Sequence, residues 1–317
     1  MRPIVVSVVC KTFNHKNYIA QCLDGFLSQK TNFRIEVIVH DDASTDGTTD
    51  IVKQYAEQYP DIIIPIIQKE NQYSKHVKVN DTFIAPLIRG KYIAMCEGDD
   101  YWCCDTKLQQ QVEFLESHSE YSACVHCTKV VDVKGNVISL TGNLDDECDL
   151  YFSDVVLQGG SEFHTSSILC RKEYFFHRPV EFSSVARVGD YPFAIYLASK
   201  GKIRRLGDVM SVYRIGTYGS WSGTMSQDKM IQTYYALIEF LEKIDDYFDN
   251  KYHAEICRAV RFHRFKIDSL KLNSALFFNS SYSEFLSKMP KSEYMKLYVK
   301  CHCKHLYKFY RKIKNIK

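Results

Sequence analysis

Nowhere in this 317-residue chain is there a run of about 18 apolar residues, the length a helix needs to span a bilayer, so no spanning helix is expected. The first apolar stretch, Pro3 to Val9, has seven residues and follows a single Arg2. That is too short for the apolar region of a secretory signal, and no signal peptide is expected. Paired cysteine knuckles are missing too. Cys124-Val125-His126-Cys127 and Cys301-His302-Cys303-Lys304-His305 each lack the second pair that would close a tetrahedral zinc site. Repeats and low-complexity segments are absent, and the basic residues have no recognised nucleic-acid-binding fold around them, so no nucleic acid partner is expected.

What is present suits a folded globular protein. The hydrophobic content of 45% is enough for a substantial core. The twelve cysteines are scattered, several inside apolar runs where a thiol behaves as a small hydrophobe, which points to a reducing compartment and a cytoplasmic location. The net charge of +3 is unevenly spread: Asp145, Asp146, Glu147, Asp149 and Asp154 form an acidic stretch, and the last 25 residues are strongly basic.

The hydrophobic pattern alternates between strand and helix. Val5 to Lys11 reads as a strand, and Ile19, Cys22, Leu23, Phe26 and Leu27 recur at helical spacing. Ile35 to Val39 is a second strand, followed by a polar loop and a helix carrying Ile51, Val52, Tyr55 and Ala56. Ile62 to Ile67 is a third, and Val79, Phe83, Ile84, Leu87 and Ile88 mark a helix that Gly90 could close in the left-handed conformation. This order predicts an α/β fold with a mostly parallel sheet covered by helices on both faces, and a nucleotide-binding half over residues 1–120. Residues 121–224 read as mixed, with a hairpin around Lys134-Gly135-Asn136, a strand over Ser166 to Cys170, a helix from Pro192 to Lys200 and strands around Gly207-Asp208. Residues 225–317 read as helical, with breaks near Asn250, Asn279 and Pro290.

Three polar loops, Thr12 to His15, Asp41 to Thr48 and Glu97 to Trp102, follow predicted strand ends and should converge on one edge of the sheet, where open α/β sheets bind ligands. In the last of them Asp99 and Asp100 leave a buried strand side by side. Paired carboxylates there suit a hard divalent cation that takes its remaining ligands from water and from a substrate's phosphates.

The motifs Val6-Ser7-Val8-Val9 with Phe13-Asn14, Asp41-Asp42-Ala43-Ser44-Thr45-Asp46-Gly47-Thr48, Gly90-Lys91-Tyr92-Ile93 and Glu97-Gly98-Asp99-Asp100-Tyr101-Trp102 resemble, in order and spacing, those of the glycosyltransferase family two enzymes. The similarity continues more weakly through His164-Thr165-Ser166-Ser167, Gly189-Asp190 and Val212-Tyr213-Arg214. It implies a GT-A fold, and inverting transfer of a sugar from a nucleotide diphosphate, most often uridine diphosphate, to a glycan or lipid-linked acceptor with Mn2+ or Mg2+ as cofactor. The implied setting is bacterial surface polysaccharide assembly. By the same resemblance Phe13 would pack against the donor base, Asp42 would accept a hydrogen bond from it, Asp99 would lie near the ribose, Asp100 would bind the metal and Lys78 would lie near the diphosphate. Asp46 or Thr48 is better placed to cap the following helix, which leaves Asp42 free. Asp190 matches the general base, although the position also suits a cap of the helix that follows. His164, Arg214 and Trp221 would shape the acceptor or phosphate region or serve the structure, and Glu97 departs from the strict motif.

Two other readings compete. A sugar-phosphate nucleotidyltransferase needs a glycine-rich loop after the first strand, where this chain has Lys11-Thr12-Phe13-Asn14-His15. A non-catalytic nucleotide-sugar-binding protein would dispense with a base, against which Asp190 argues. The tail from Ser292 to Lys317 interleaves eight basic residues with apolar and aromatic ones. It suits either an anionic membrane surface or a helix packed on the protein with a solvated basic face.

Overall fold

The computed structural model describes residues 3–303, apart from 143, 145–146, 159–161, 177, 183–184, 186–187 and 218–225. Trp221 and the last fourteen residues of the basic tail therefore lie outside the described residues. The chain forms two compact units. One comprises residues 1–183 and 189–224, the other residues 184–188 and 225–317.

The first unit starts with β1 (Ile4–Thr12), α1 (Ile19–Leu27), β2 (Arg34–Asp41), α2 (Thr48–Gln58) and β3 (Ile63–Ile67). After β4 (Tyr92–Glu97) come β5 (Tyr101–Trp102), α3 (Lys107–Ser117), β6 (Tyr121–Val131), β7 (Val137–Thr141), β8 (Cys148–Leu150) and α4 (Phe152–Gln158). The unit ends with β9 (Leu169–Arg171), α5 (Lys172–Phe175), α6 (Asp190–Lys200) and β10 (Lys202–Arg214). One sheet runs in the order β3-β2-β1-β4-β9-β6-β10-β5, with β7 beside β6 and β8 beside β10. β3, β2, β1 and β4 are parallel neighbours, as are β6 and β10, and β9 runs antiparallel between the two groups. Val6, Val8 and Cys10 of β1 pack in one cluster with Ile19, Cys22, Leu23 and Phe26 of α1. Val9, on the opposite face of the strand, is equally buried, so both faces of the sheet are covered, as the continuous apolar runs implied.

Local chemistry fixes the boundaries. Asp46 accepts from the Thr48 amide at 2.9 Å and from the Thr48 hydroxyl at 2.6 Å, which satisfies the start of α2, and Gly47 takes the left-handed conformation there with φ 101°. β10 carries bulges around Gly207-Asp208, where the register moves from Leu206 opposite His126 to Val209 opposite Cys127, so a single long strand replaces the expected pair. The helix expected over Val79 to Ile88 is a π-type turn at Asn80–Ile84 followed by a 3-10 turn at Ala85–Leu87. Pro86 has no amide hydrogen to continue a regular helix. Strand pairing after His164 begins only at Leu169, because Thr165–Ser167 form a 3-10 turn.

Gly90 is not left-handed, and its role differs from the expected one. A Cβ at Gly90 would lie 2.5 Å from the Ser7 amide nitrogen, so glycine is required for close approach to β1. The Gly90 amide donates to Ser7 Oγ at 2.8 Å, and Ser7 Oγ donates to Glu36 at 2.5 Å. Glu36 is fully buried and also takes the Arg89 amide at 2.7 Å and the Arg89 guanidinium. This network locks β1, β2 and the entry to β4 together.

The second unit holds α7 (Gln227–Tyr247), α8 (His253–Leu270), α9 (Ser283–Lys288) and α10 (Lys291–His302). Breaks fall near Asn250 and Pro290 as expected, and Asn279 caps a short 3-10 turn, its side chain accepting from the Ser281 amide. A further break, at left-handed Leu272, had no signal in the sequence. Tyr294, Tyr298 and His302 of α10 pack on Phe277. Among the described residues no helix is long and apolar enough to cross a membrane.

Gly90→Ala should destabilise the protein by about 1–3 kcal/mol, the usual cost of overpacking a tight contact, measured by urea unfolding. Unchanged stability would show that the strands separate without cost and that the Ser7 contact is not a constraint.

Candidate active site

Two loops at the carboxyl edge of the sheet are stitched to each other. Asn14, left-handed at φ 57°, donates its amide to Ser44 Oγ at 2.8 Å and accepts the Thr45 amide at 2.8 Å. The Lys16 amide reaches Asp46 at 3.0 Å. Asp41 is consumed locally, by the Ser44 amide and hydroxyl and by the Thr49 hydroxyl. Between these anchors the Phe13 ring stands 41% exposed, which is unusual for a phenylalanine directly after a buried strand. Asp42 is buried beside it, its oxygens accepting the Gln72 amide at 2.7 Å and the Tyr73 amide at 3.0 Å. A carboxylate has about four acceptor positions, so Asp42 also keeps capacity for a further donor.

The third loop brings the carboxylates. Glu97 ends β4 opposite Lys11 of β1, and the Gly98 amide donates to the Lys11 carbonyl at 2.9 Å. A Cβ on Gly98 would lie 2.6 Å from Thr12 Oγ1 and 3.0 Å from His15 Nδ1, so only glycine lets the turn approach the first loop this closely. The turn closes with the Asp100 amide donating to the Glu97 carbonyl at 3.0 Å. Glu97, Asp99 and Asp100 then present carboxylate oxygens within 4.8 Å of one another.

Distant residues hold this cluster in place. Asp99 accepts from Thr217 Oγ1 at 2.8 Å and faces His15 Nε2 at 3.8 Å. Asp100 accepts the Arg214 amide at 2.9 Å. The Arg214 guanidinium donates to the Asp99 carbonyl and to Gln21, and lies over the rings of Tyr18 (5.0 Å) and Tyr101 (4.7 Å). Arg214 is thus a clamp on the acidic turn.

Burial, followed by the neighbouring Asp99 charge, pushes the Asp100 carboxyl well above the ordinary carboxylate range. Burial also raises Glu97, with Asp99 and Asp190 adding to the effect and Lys11 opposing it. Buried oxygens of like charge this close together fit a hard divalent cation, which would relieve both effects. Asp190 therefore sits within electrostatic reach of the cluster. It is exposed at the first turn of α6, where Oδ1 accepts the Tyr191 amide at 2.9 Å, so the residue supports the helix start as well.

His164 stacks on Tyr213 at 4.2 Å between centroids, and burial pushes its imidazole down to about 4, leaving it neutral. Lys78 has an exposed side chain, and its carbonyl accepts from the Asp81 and Thr82 amides to begin the helical turn before β4. The sequence marks Glu97 only as a departure from the strict motif and does not single out His15, Gln21 or Thr217. His15 could have been found from its place in the first loop. Thr217 lies 118 residues from Asp99 and carries no local signal.

The description Glycosyl transferase family 2 matches residues 7–166. Over 217 residues the chain is 35% identical to the uncharacterized protein Rv1520 of Mycobacterium tuberculosis, covering 68% of this chain and 60% of that protein. It is 32% identical over 117 residues to the Escherichia coli protein WfaP, a UDP-Glc:alpha-D-GlcNAc-diphosphoundecaprenol beta-1,3-glucosyltransferase, covering 37% of this chain and 43% of WfaP. Among solved structures, S. aureus TarS 1-349 in complex with UDP-GlcNAc has a TM-score of 0.58 at 16% identity, covering 94% of this chain and 79% of that one. The mannosyltransferase PcManGT from Pyrobaculum calidifontis, in complex with GDP-Man and Mn2+, has a TM-score of 0.52 at 18% identity, covering 95% and 87%. These structural likenesses carry the fold, which is GT-A. Matched by the family description over half of its length, the chain belongs to glycosyltransferase family 2.

Proposed function

We propose that this protein is an inverting, divalent-metal-dependent glycosyltransferase that moves a sugar from a nucleoside diphosphate, with uridine diphosphate favoured, to a hydroxyl of a glycan or lipid-linked acceptor in surface polysaccharide assembly. The observation that carries this reading is the convergence of Glu97, Asp99 and Asp100 within 4.8 Å at the strand edge, with Asp190 in electrostatic reach. The named relatives and neighbours support the donor class: TarS holds UDP-GlcNAc, PcManGT holds GDP-Man with Mn2+, and WfaP is a glucosyltransferase acting on a lipid-linked acceptor.

In this reading Phe13 offers an uncovered face to the nucleobase, and Asp42, fixed by two amides, accepts from the base edge. Asp99 contacts the ribose. Asp100 would hold Mn2+ or Mg2+, with Glu97 beside it, and when bound the ion would offset the charge that builds on the departing diphosphate. Lys78 adds a cation near that diphosphate. Asp190 takes the acceptor hydroxyl's proton as the new bond forms, on the face of the sugar opposite the leaving group, which is what inversion requires. His164, neutral and stacked on Tyr213, and Arg214, clamped on the acidic turn, shape the floor of the acceptor and phosphate region from behind.

The C-terminal segment fits a peripheral position on anionic lipid at the inner face of the cell membrane. α10 exposes Met295, Tyr298 and Val299 with Lys291 and Lys296 on the same short helix, and the sequence beyond it is basic. Each such cation contributes about 1 kcal/mol of attraction near an anionic surface.

Asp100→Ala should abolish Mn2+-dependent release of nucleoside diphosphate from a nucleotide sugar, together with Mn2+-dependent donor binding. Near-normal turnover with Mn2+ present would remove Asp100 from the metal site. Asp190→Asn keeps the shape and the helix start but cannot take a proton, so donor binding should persist while transfer falls by about 10² or more; a loss of only a few-fold would leave Asp190 as a helix-start residue alone. The intact protein should sediment with phosphatidylserine vesicles at low salt and be released at high salt. Failure to sediment at low salt rules out the lipid surface.

A further inference from the structure

α3 opens with a lysine enclosed in the core. Lys107 is fully buried, and no carboxylate among the described residues pairs with it. Its Nζ donates to Gln111 Oε1 at 2.7 Å and lies 4.1 Å over the Trp102 ring. The Gln111 carboxamide in turn donates to the Cys124 carbonyl at 2.7 Å and to the Ser167 carbonyl at 2.9 Å. The Trp102 indole N–H donates to the Ser166 carbonyl at 2.9 Å. Trp102 stands two residues after Asp100, pairs with Ser211 of β10, and meets the edge of Phe26 at 4.6 Å. A single amine therefore ties together the end of the acidic turn, the start of α3 and the Thr165–Ser167 turn next to His164.

Burying an ammonium without a counter-charge is costly, and replacing buried charge with a well-packed apolar residue is often neutral or stabilising. Stability alone does not account for lysine at this position. We propose that Lys107 is a positioning residue for the carboxylate cluster: through the face of Trp102 and the carboxamide of Gln111 it fixes the Glu97–Trp102 turn against the Thr165–Ser167 turn, and removing the amine weakens metal binding while the fold persists. This rests on the metal-dependent reading above.

The groups that face Lys107 are Cys96 of β4, Cys104 ahead of α3, and Cys124 and His126 of β6. Burial pushes Lys107 down to about 7, lifts Cys96 to about 11 and Cys124 to about 12, and lowers His126 well below the usual imidazole value. An unfolded lysine titrates at ~10.4, so between pH 7 and that value the unfolded chain binds the extra proton, and stability from this group rises with pH. Lys107→Met lacks this slope. Relative to the variant, the parent should therefore gain in Tm as pH rises from neutral to mildly alkaline.

The test uses the full chain in a Trp221→Phe background, so that emission reports Trp102, with Lys107→Met and Gln111→Leu as separate variants. Three readouts are taken: Tm across pH, binding of Mn2+ alone by electron paramagnetic resonance, and indole emission against pH. The expected result is a Lys107→Met Tm at neutral pH equal to the parent's or within about 4 °C of it. Its Mn2+ dissociation constant should rise roughly ten-fold, the usual scale for a group that orients a metal ligand from behind. The indole transition near pH 7 should be present in the parent and lost in the variant, and Gln111→Leu should weaken Mn2+ binding in the same direction. Parent-like Mn2+ affinity in Lys107→Met overturns the proposal. So does an affinity loss that appears only with a large fall in Tm in both variants, since that would make Lys107 merely structural. If the parent binds Mn2+ and shows the indole transition while the chain with Trp221 intact turns over no nucleotide sugar, the transferase reading falls and the Lys107 proposal stands.

Discussion

Three carboxylates held within 4.8 Å of one another at a buried strand end repel each other in a medium that screens charge poorly, and much of the first unit is arranged around that repulsion. The backbone of Gly98 lets the turn sit against Thr12 and His15, the Arg214 amide and guanidinium take one oxygen of Asp100 and the Asp99 carbonyl, and Thr217 takes Asp99. These partners come from β1's exit loop, from the end of β10 and from the residues just beyond it, more than a hundred positions away. The turn is thus held by groups assembled only when the sheet is complete.

The same edge receives the first two polar loops, stitched through Asn14, Ser44, Thr45 and Asp46, so that Phe13 and Asp42 stand on a rigid rim. Behind the rim the sheet is held by a second buried acid, Glu36, whose oxygens take Ser7 and Arg89. The contrast is instructive. Glu36 is surrounded by donors and serves the fold, whereas Glu97 and Asp100 are crowded by other acids and have carboxyl groups raised by burial, the condition expected where a cation is to be bound. Lys107 is the counterpart on the core side: an amine that no carboxylate among the described residues pairs with, resting on an indole and a carboxamide.

Much of the first unit was legible in the chain. Near-continuous apolar runs separated by helical periodicity gave β1, β2, β3 and β4 and the parallel order, because a strand buried on both faces cannot alternate. The convergence of the three polar loops followed from that order, and so did the position of Asp99 and Asp100. The helix expected after residue 79 became a π turn and a 3-10 turn because Pro86 interrupts the hydrogen-bond ladder. Gly90 was misread because a close approach to Ser7 and a left-handed cap both select glycine and look alike in sequence. The break at Leu272 escaped because leucine carries no turn signal.

The class of the fold, the family resemblance and the acidic turn as the centre of interest can be read from the chain alone, since periodicity, motif order and residue chemistry are all local properties. Tertiary structure alone decided that Glu97 joins the cluster, that Arg214 is a clamp, that Thr217 and His15 face Asp99, and that Lys107 is sealed under Trp102. Each of these depends on strand register and on contacts between segments far apart in the chain, for which one-dimensional spacing carries no signal.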